Sequence, residues 1–165
     1  MTQTAQNQTQ LDELLLVVFT IGNEEFGVDI GRVLEIIKMT EITVVPDVPE
    51  YVNGIINLRG KIVTVIDLKK KLKMGQSKET ADTRIMIVDV HDNTLGMIVD
   101  SVKEVLRLNK KLVNPTPKDL STKIHDAFIE GVGNFDKRLI ILLNLEGVLL
   151  REDVEKMAQK AEKTA

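Results

Sequence analysis

Short apolar runs rich in valine and isoleucine recur along the chain, separated by glycine, asparagine and aspartate, a pattern typical of many short β-strands. Residues 14–30, LLLVVFTIGNEEFGVDI, predict a strand, a tight turn at Gly22–Asn23 and a second strand. In residues 29–38, DIGRVLEIIK, apolar residues recur at helical spacing, but β-branched side chains and a glycine disfavour a helix. We therefore expect a helical turn that begins near Asp29 and leads into a strand.

The same order of features occurs twice in the chain. Residues 84–108, RIMIVDVHDNTLGMIVDSVKEVLRL, repeat the first stretch at a separation of 69 positions, and the matched pairs are Gly27 with Gly96, Val33 with Val102, and Glu35 with Glu104. Residues 51–72 and 128–149 match at a separation of 77 positions, which aligns Gly54 with Gly131 and Asn57 with Asn134. We interpret this as an internal duplication that builds two small β-barrels, since closure of a barrel removes unpaired strand edges.

The domain organisation follows from this repeat. We expect a flexible tail at residues 1–10, a single domain over 11–156 and a frayed end at 157–165. The domain would contain two barrel subdomains with a boundary near 73–83, where KMGQSKETADT forms a polar connector. The last segment, REDVEKMAQKAEKTA, is rich in strong helix formers. It predicts a C-terminal helix that packs on a barrel through Val154, Met157 and Ala158.

Composition narrows the class of protein. The 165 residues fit one domain, and a net charge of −3 is too mild for a general nucleic-acid or membrane binder. Cysteine is absent, which excludes disulfides and thiolate metal sites and is compatible with the cytosol. No apolar run approaches the roughly 18 residues of a membrane helix. Aromatic residues make up only 3%, so a base-stacking platform is not expected.

Residues 52–68, VNGIINLRGKIVTVIDL, combine two apolar stretches with a polar break in the middle. We interpret the break as a turn between two buried strands. Gly60 permits a backbone angle that other residues resist, and Asn57 can hydrogen-bond nearby backbone groups and hold the turn. The turn then presents Arg59, whose planar guanidinium can pair with carboxylate or carbonyl groups of a partner. The alternative is that Arg59 is solvated or pairs with an internal carboxylate such as Glu35.

Other functions find little support in the residues. The two histidines, His91 and His125, lie in polar segments far apart and outside any helical metal motif, so we expect them to be solvated. GVGNFD at 131–136 begins like a dinucleotide fingerprint but lacks its third glycine. We expect no catalysis, metal or cofactor. The lysine-rich DLKKKLK at 67–73 leaves a small-barrel nucleic-acid-binding protein as an alternative, although few aromatics and a negative net charge argue against it.

Taken together, VNGIINLRGKIVTVIDL, the preceding FGVDIGRVLEI and the following TLGMIVDSVKEVL resemble the CheW family of chemotaxis coupling proteins. The resemblance covers roughly 15–150, and the glycine–asparagine–arginine–glycine motif is fairly specific to that family. It implies a mainly β fold of two intertwined five-stranded SH3-like barrels with short helical turns and a C-terminal helix. It also implies a free-standing, non-catalytic adaptor that couples chemoreceptors to the histidine kinase CheA. An adaptor of a non-flagellar chemosensory pathway is a further alternative.

The resemblance also implies partners and site residues. The expected partners are the helical hairpin tip of a chemoreceptor, the regulatory domain of CheA and other copies of the coupler in rings, but neither nucleic acid nor membrane by direct insertion. We expect a cytoplasmic protein recruited to membrane-associated receptor arrays. The expected receptor-binding residues are Arg59, Val33, Glu35, Ile30 and Ile36, and those supporting the surface are Gly54, Asn57, Gly60 and Gly96. The alternative for the three aliphatic residues is a place in the core. Asp136 and Lys137 replace Arg–Gly in the second copy, so only the first is expected to carry an arginine-based surface.

Overall fold

The computed structural model describes residues 12–76, 78–121 and 124–164, so the expected tail at 1–10 lies outside the described residues. The first part of the chain forms β1 (Glu13–Ile21), β2 (Glu24–Asp29), a 3₁₀ turn (Ile30–Arg32), β3 (Val33–Lys38), β4 (Val52–Leu58), β5 (Lys61–Asp67) and α1 (Leu68–Lys71). The second part begins with β6 (Arg84–Val90), β7 (Asn93–Val99), β8 (Ser101–Asn109), a 3₁₀ turn (Lys110–Leu112) and β9 (Val113–Asn114). It ends with α2 (Lys118–Ser121), a 3₁₀ turn (Asp126–Phe128), β10 (Ile129–Phe135), β11 (Arg138–Leu143), α3 (Leu145–Val148) and α4 (Arg151–Thr164).

The strands form two sheets, and each sheet curls into a small barrel. The first barrel has the strand order β8-β1-β2-β11-β10-β9, in which β9 contributes two residues. The second barrel has the order β3-β6-β7-β5-β4. The mainly β class and the pair of barrels are therefore confirmed, but the first sheet has six strands where five were expected, because Val113–Asn114 add a short edge strand.

The barrels are intertwined because each repeat contributes two strands to the barrel built mainly from the other: β1 and β2 lie in the first barrel with β8 to β11, and β6 and β7 lie in the second barrel with β3 to β5. Strand β3 of the first repeat pairs antiparallel with β6 of the second repeat, and β8 of the second repeat pairs antiparallel with β1 of the first. The connector at 73–83 thus separates the sequence repeats, whereas each barrel contains strands from both sides of it.

Backbone geometry reproduces the duplication. Strands β4 and β10, β5 and β11, and the short helices α1 and α3 each occupy positions 77 apart. Even single hydrogen bonds recur: the Asp67 N–H donates to the Tyr51 carbonyl at 2.7 Å, and the Asn144 N–H donates to the Phe128 carbonyl at 2.8 Å. Asp67 and Asn144 also cap α1 and α3 with their side chains. Similar local sequence patterns have produced similar local structure.

Each barrel has its own aliphatic interior, and a larger cluster joins the two. The buried interior residues of the first barrel are Leu16, Val18, Leu106, Leu108, Ile140 and Leu142. Those of the second barrel are Ile56, Val63, Val65, Ile85, Ile87 and Ile98. The joining cluster contains the stacked rings of Phe19 and Phe26, with centroids 5.7 Å apart. Burial of these apolar surfaces is the main force that holds the barrels together.

The C-terminal helix α4 packs against β5 and β7 of the second barrel. Val154 and Met157 are buried as the sequence predicts, Ala158 is half-buried, and the third buried residue is Ala161, one helical turn beyond Met157. The helix continues to Thr164, through residues that the sequence analysis assigned to a frayed end. The helices within the described ranges are too short or too polar to cross a membrane.

Candidate protein-docking surface

Strand β3 contains a bulge that decides which way its side chains point. Val33 pairs with Val88 and Glu35 pairs with Ile87, so Leu34 is the extra, unpaired residue. Since Val88 and Ile87 lie on opposite faces of β6, the bulge puts Val33 beside the joining cluster and Glu35 beside the interior of the second barrel. Without the bulge, Val33 and Glu35 would point to the same side.

The turn between β4 and β5 consists of Arg59 and Gly60, both in left-handed conformation with φ of 52° and 85°. Two positive φ angles are the signature of the tight hairpin turn that matches strand twist. The Gly60 N–H donates to Asn57 Oδ1 at 2.7 Å, which fixes the turn from the preceding strand. Left-handed backbone is costly for arginine, so the fold holds Arg59 in a conformation that the residue itself disfavours.

Arg59 and Glu35 form a two-pronged ion pair. Arg59 Nη1 donates to Glu35 Oε1 at 2.9 Å and Nη2 donates to Oε2 at 2.5 Å. Hydrogen bonding by the Arg59 guanidinium holds the pKa of Glu35 below its usual range. Because β3 and β4 are the two edges of the sheet, the pair spans the opening between them. The Arg59 side chain remains 70% exposed.

The predicted aliphatic residues divide between core and surface. Val33 is half-buried against the joining cluster, whereas Ile30 and Ile36 are 39% and 40% exposed. Sequence reasoning missed Leu34, which it read as one apolar position of a helical turn and which the bulge leaves 59% exposed. It also expected Ile62 to be covered, but this first apolar residue of β5 is exposed beside the turn. Exposed aliphatic residues therefore lie in the 3₁₀ turn before β3, next to Glu35 on β3, and at the start of β5 just after the turn that holds Arg59.

Two glycines support this region in different ways. Gly54 has φ of 147°, and a Cβ at this position would lie 2.1 Å from the Thr43 carbonyl oxygen, so the neighbouring segment can approach β4 only because the side chain is missing. Gly96 lies within β7, where a Cβ would come within 2.9 Å of Ile85 Cγ2. It allows close packing inside the second barrel.

The equivalent place in the first barrel holds a different ion-pair network. Asp136 occupies the turn position of Arg59, and the guanidinium comes instead from Arg138, two residues later. Arg138 donates to both oxygens of Glu25 at 3.0 and 3.1 Å and to Glu104 at 3.0 Å. These bonds raise the pKa of Arg138 and lower that of Glu25. The second copy therefore also carries an arginine–carboxylate bridge, but its arginine lies on a strand.

The two histidines differ: His91 is half-buried and engaged in the fold, contrary to the expectation that it is solvated, whereas His125 is exposed, as expected. His91 Nε2 donates to the Leu149 carbonyl at 2.7 Å, and His125 Nδ1 accepts from the Ala127 N–H at 3.0 Å. Among the described residues, no group of three or more histidine, aspartate or glutamate side chains could hold a metal ion.

Comparisons with known proteins identify the family. The model of the CheW-like domain matches residues 15–153. A probable chemotaxis protein CheW of Rhizobium etli is 36% identical over 85% of this chain and 90% of its own length. The chemotaxis protein CheW of Helicobacter pylori is 33% identical over 84% and 83%. The crystal structure of the scaffolding protein CheW from Thermoanaerobacter tengcongensis superposes with a TM-score of 0.75, at 41% identity over 82% of this chain and 86% of that chain. The chain therefore belongs to the CheW family of non-catalytic scaffolding adaptors of chemotaxis signalling.

Proposed function

We propose that this chain couples a chemoreceptor to a CheA-type kinase by binding both without modifying either, and that the receptor docks on the lip of the second barrel. We define the lip surface as Ile30, Val33, Glu35, Ile36 and Arg59. The observation that carries the proposal is the exposed Arg59–Glu35 ion pair, held by a strained turn and flanked by exposed aliphatic side chains.

The chemistry of the lip surface suits a helical partner. The cytoplasmic tip of a chemoreceptor is a helical hairpin, and helices are recognised through apolar contacts with a polar margin. Ile30 and Ile36 offer the apolar contacts. The bonds to Glu35 use two of the five donor hydrogens of Arg59, which leaves capacity for a carbonyl or carboxylate of the partner.

Preorganisation distinguishes this arginine from an ordinary surface arginine. The turn fixes its backbone, and Glu35 fixes the plane of its guanidinium before any partner arrives. A side chain that is already ordered loses less conformational entropy on binding, and arginine is enriched among the residues that dominate interfaces.

The second partner is the regulatory domain of CheA. Resemblance to the family supports placing it on the barrel ends away from the lip surface, together with contacts between copies of the coupler in rings. Separate surfaces would let one chain hold receptor and kinase at once, and the array would recruit the protein to the membrane. Individual affinities can then be modest, because linked contacts strengthen one another.

Binding of a purified receptor cytoplasmic fragment tests the lip surface. The matched variants are Arg59→Ala and Arg107→Ala, since Arg107 is 69% exposed on β8 of the other barrel. We expect Arg59→Ala to weaken binding at least about tenfold and Arg107→Ala to leave it unchanged. Both variants should keep the wild-type melting temperature within about 3 °C. Equal binding by wild type and Arg59→Ala would place the receptor elsewhere.

A further inference from the structure

The two sequence halves on either side of the connector are not separate folding units. We call residues 13–72 the first half and 84–164 the second half. Four strand pairings join them: β1 with β8, β3 with β6, β2 with β11, and β5 with β7. The first and second halves thus complete both barrels together.

Side-chain contacts across the halves follow the same rule. Arg138 of the second half binds Glu25 of the first half, and Arg32 of the first half binds Glu146 of the second. Helix α4 of the second half covers β5 of the first half, and Lys160 on it donates to the Asp47 carbonyl. Each half is therefore stabilised in large part by contacts with the other.

The covalent link between the halves contributes little to this assembly. Its described residues, Lys73–Gln76 and Lys78–Thr83, are polar apart from Met74, Gly75 and Ala81, and most of them are exposed, whereas Met74 packs against the joining cluster and Thr83 is buried. The hydrogen bonds at the end of the link are local, for example from the Thr80 N–H to Thr83 Oγ1 at 2.9 Å. Nothing in the contacts between the halves requires that both come from one molecule.

We propose that two copies of this chain exchange halves and form a swapped dimer, in which the first half of each chain completes both barrels with the second half of the other. The swapped dimer retains all contacts between the halves that the monomer makes. Its free energy therefore differs from that of two monomers only through the connector and the entropy lost on association. Exchange of identical elements is a low-cost route to dimers under these conditions.

This inference stands on the strand pairings and does not depend on the proposed function. If the lip surface binds receptors, the swapped dimer has a further property. The lip surface lies wholly within the first half, so each dimer would carry two complete lip surfaces on one particle. Such a particle could bridge two receptor tips and gain avidity without any new contact.

Engineered disulfides can read the topology directly, because the chain has no native cysteine. Thr20 on β1 pairs with Ser101 on β8, and their hydroxyl oxygens are 2.6 Å apart. In the double variant Thr20→Cys/Ser101→Cys, a disulfide lies within one chain in the monomer but joins two chains in the swapped dimer. The control is Asp89→Cys/Thr94→Cys, which pairs β6 with β7 inside the second half in either form.

The variants are refolded from denaturant at low and high protein concentration, oxidised, separated by size and run on denaturing gels without reductant. We expect the dimer fraction to rise with concentration, to contain covalently joined chains for the Thr20/Ser101 pair, and to release single chains for the control. Mixing the single variants Thr20→Cys and Ser101→Cys before refolding should also yield covalent dimers. Failure of that mixture to cross-link, or a dimer that releases single chains for both pairs, means side-by-side association and overturns the proposal.

Connector length provides the second measurement. Deletion of residues 75–80 shortens the path between α1 and β6 within one chain, so the swapped dimer should become the major form. Insertion of six glycine and serine residues between Met74 and Ala81 of the shortened variant should return the protein to the monomer. A shortened variant that stays monomeric with the wild-type circular dichroism spectrum would overturn the proposal as well.

Discussion

Arg59 and Asp136 occupy the same position of two equivalent hairpin turns, and both have left-handed backbone, with φ of 52° and 46°. Residues 57–61 and 134–138 thus have the same type of turn, but its first residue is positively charged in one copy (Arg59) and negatively charged in the other (Asp136). The first barrel obtains its guanidinium from Arg138, which two carboxylates hold against the barrel wall. The second barrel holds its guanidinium at the exposed tip. The duplication has kept the scaffold and separated a structural arginine from one that a partner can reach.

The planar fork of Arg59 should matter more than its charge. Arg59→Lys keeps the positive charge but loses the two-pronged bond to Glu35, so the ammonium is no longer oriented. We expect receptor-fragment binding to fall several-fold, whereas Arg107→Lys, measured in parallel, should bind like the wild type. Dissociation constants measured by calorimetry at low and moderate salt separate the role of charge from that of the planar fork. If charge alone mattered, Arg59→Lys would bind like the wild type at both salt concentrations. Full binding by Arg59→Lys would show that charge suffices.

The apolar part of the lip surface can be tested against its own repeat. Ile36 on β3 and Val105 on β8 stand at equivalent positions and are 40% and 56% exposed. Ile36→Lys should weaken receptor binding at least about tenfold, because a hydrated ammonium replaces apolar contact, whereas Val105→Lys should not. Melting temperatures of both variants should stay within about 3 °C of wild type, since neither side chain is buried. Equal losses for the two variants would mean that the docking site includes both barrels.

Much of the fold could be predicted from the sequence because the repeat is local. The strand after the helical turn at Asp29, the tight turns and the C-terminal helix follow from residues close in sequence. What could not be predicted depends on contacts across the halves. The pairing of β3 with β6 produces the bulge at Leu34, and Ala161 is buried because α4 packs it against Val45 and Ile55 of the first half.

The lip surface, too, could be predicted from the sequence only in part. Sequence reasoning could name Glu35 as one possible partner of Arg59, but only the approach of the two sheet edges shows that the pair forms. It could not foresee that Arg138 replaces the missing turn arginine of the second copy, because the guanidinium reaches Glu104 from a position two residues away. Aligning the two motifs residue by residue does not reveal that the guanidinium has moved to a position two residues later.

Gly54 and Gly60 should respond differently to the same substitution. Gly60→Ala places a Cβ in open space at a positive φ, so the cost is backbone strain of about 1–2 kcal/mol. Gly54→Ala adds a collision with the Thr43 carbonyl oxygen, and we expect a loss of about 3 kcal/mol or more in the free energy of unfolding. Urea unfolding of both variants measures the difference. Similar losses for the two would mean that the segment at Thr43 moves aside without cost.

The contribution of Glu25 to stability should depend on pH. Hydrogen bonds from Arg138 lower the folded-state pKa of Glu25 below its ordinary value, so the folded state favours the carboxylate more than the unfolded state does. The resulting stability is present above the unfolded pKa of 4.5 and is lost as pH falls through the lower, folded pKa. Glu25→Gln should therefore lower the melting temperature by about 3–8 °C at neutral pH and by progressively less below about pH 4.5.

Glu155→Gln, on the exposed face of α4, controls for the loss of one negative charge. Calorimetric melting from pH 7 to about pH 3 gives the comparison. A difference between Glu25→Gln and wild type that stays constant over this range, or widens towards acid, would mean that the amide disturbs packing and that Arg138 does not stabilise the fold through the Glu25 charge.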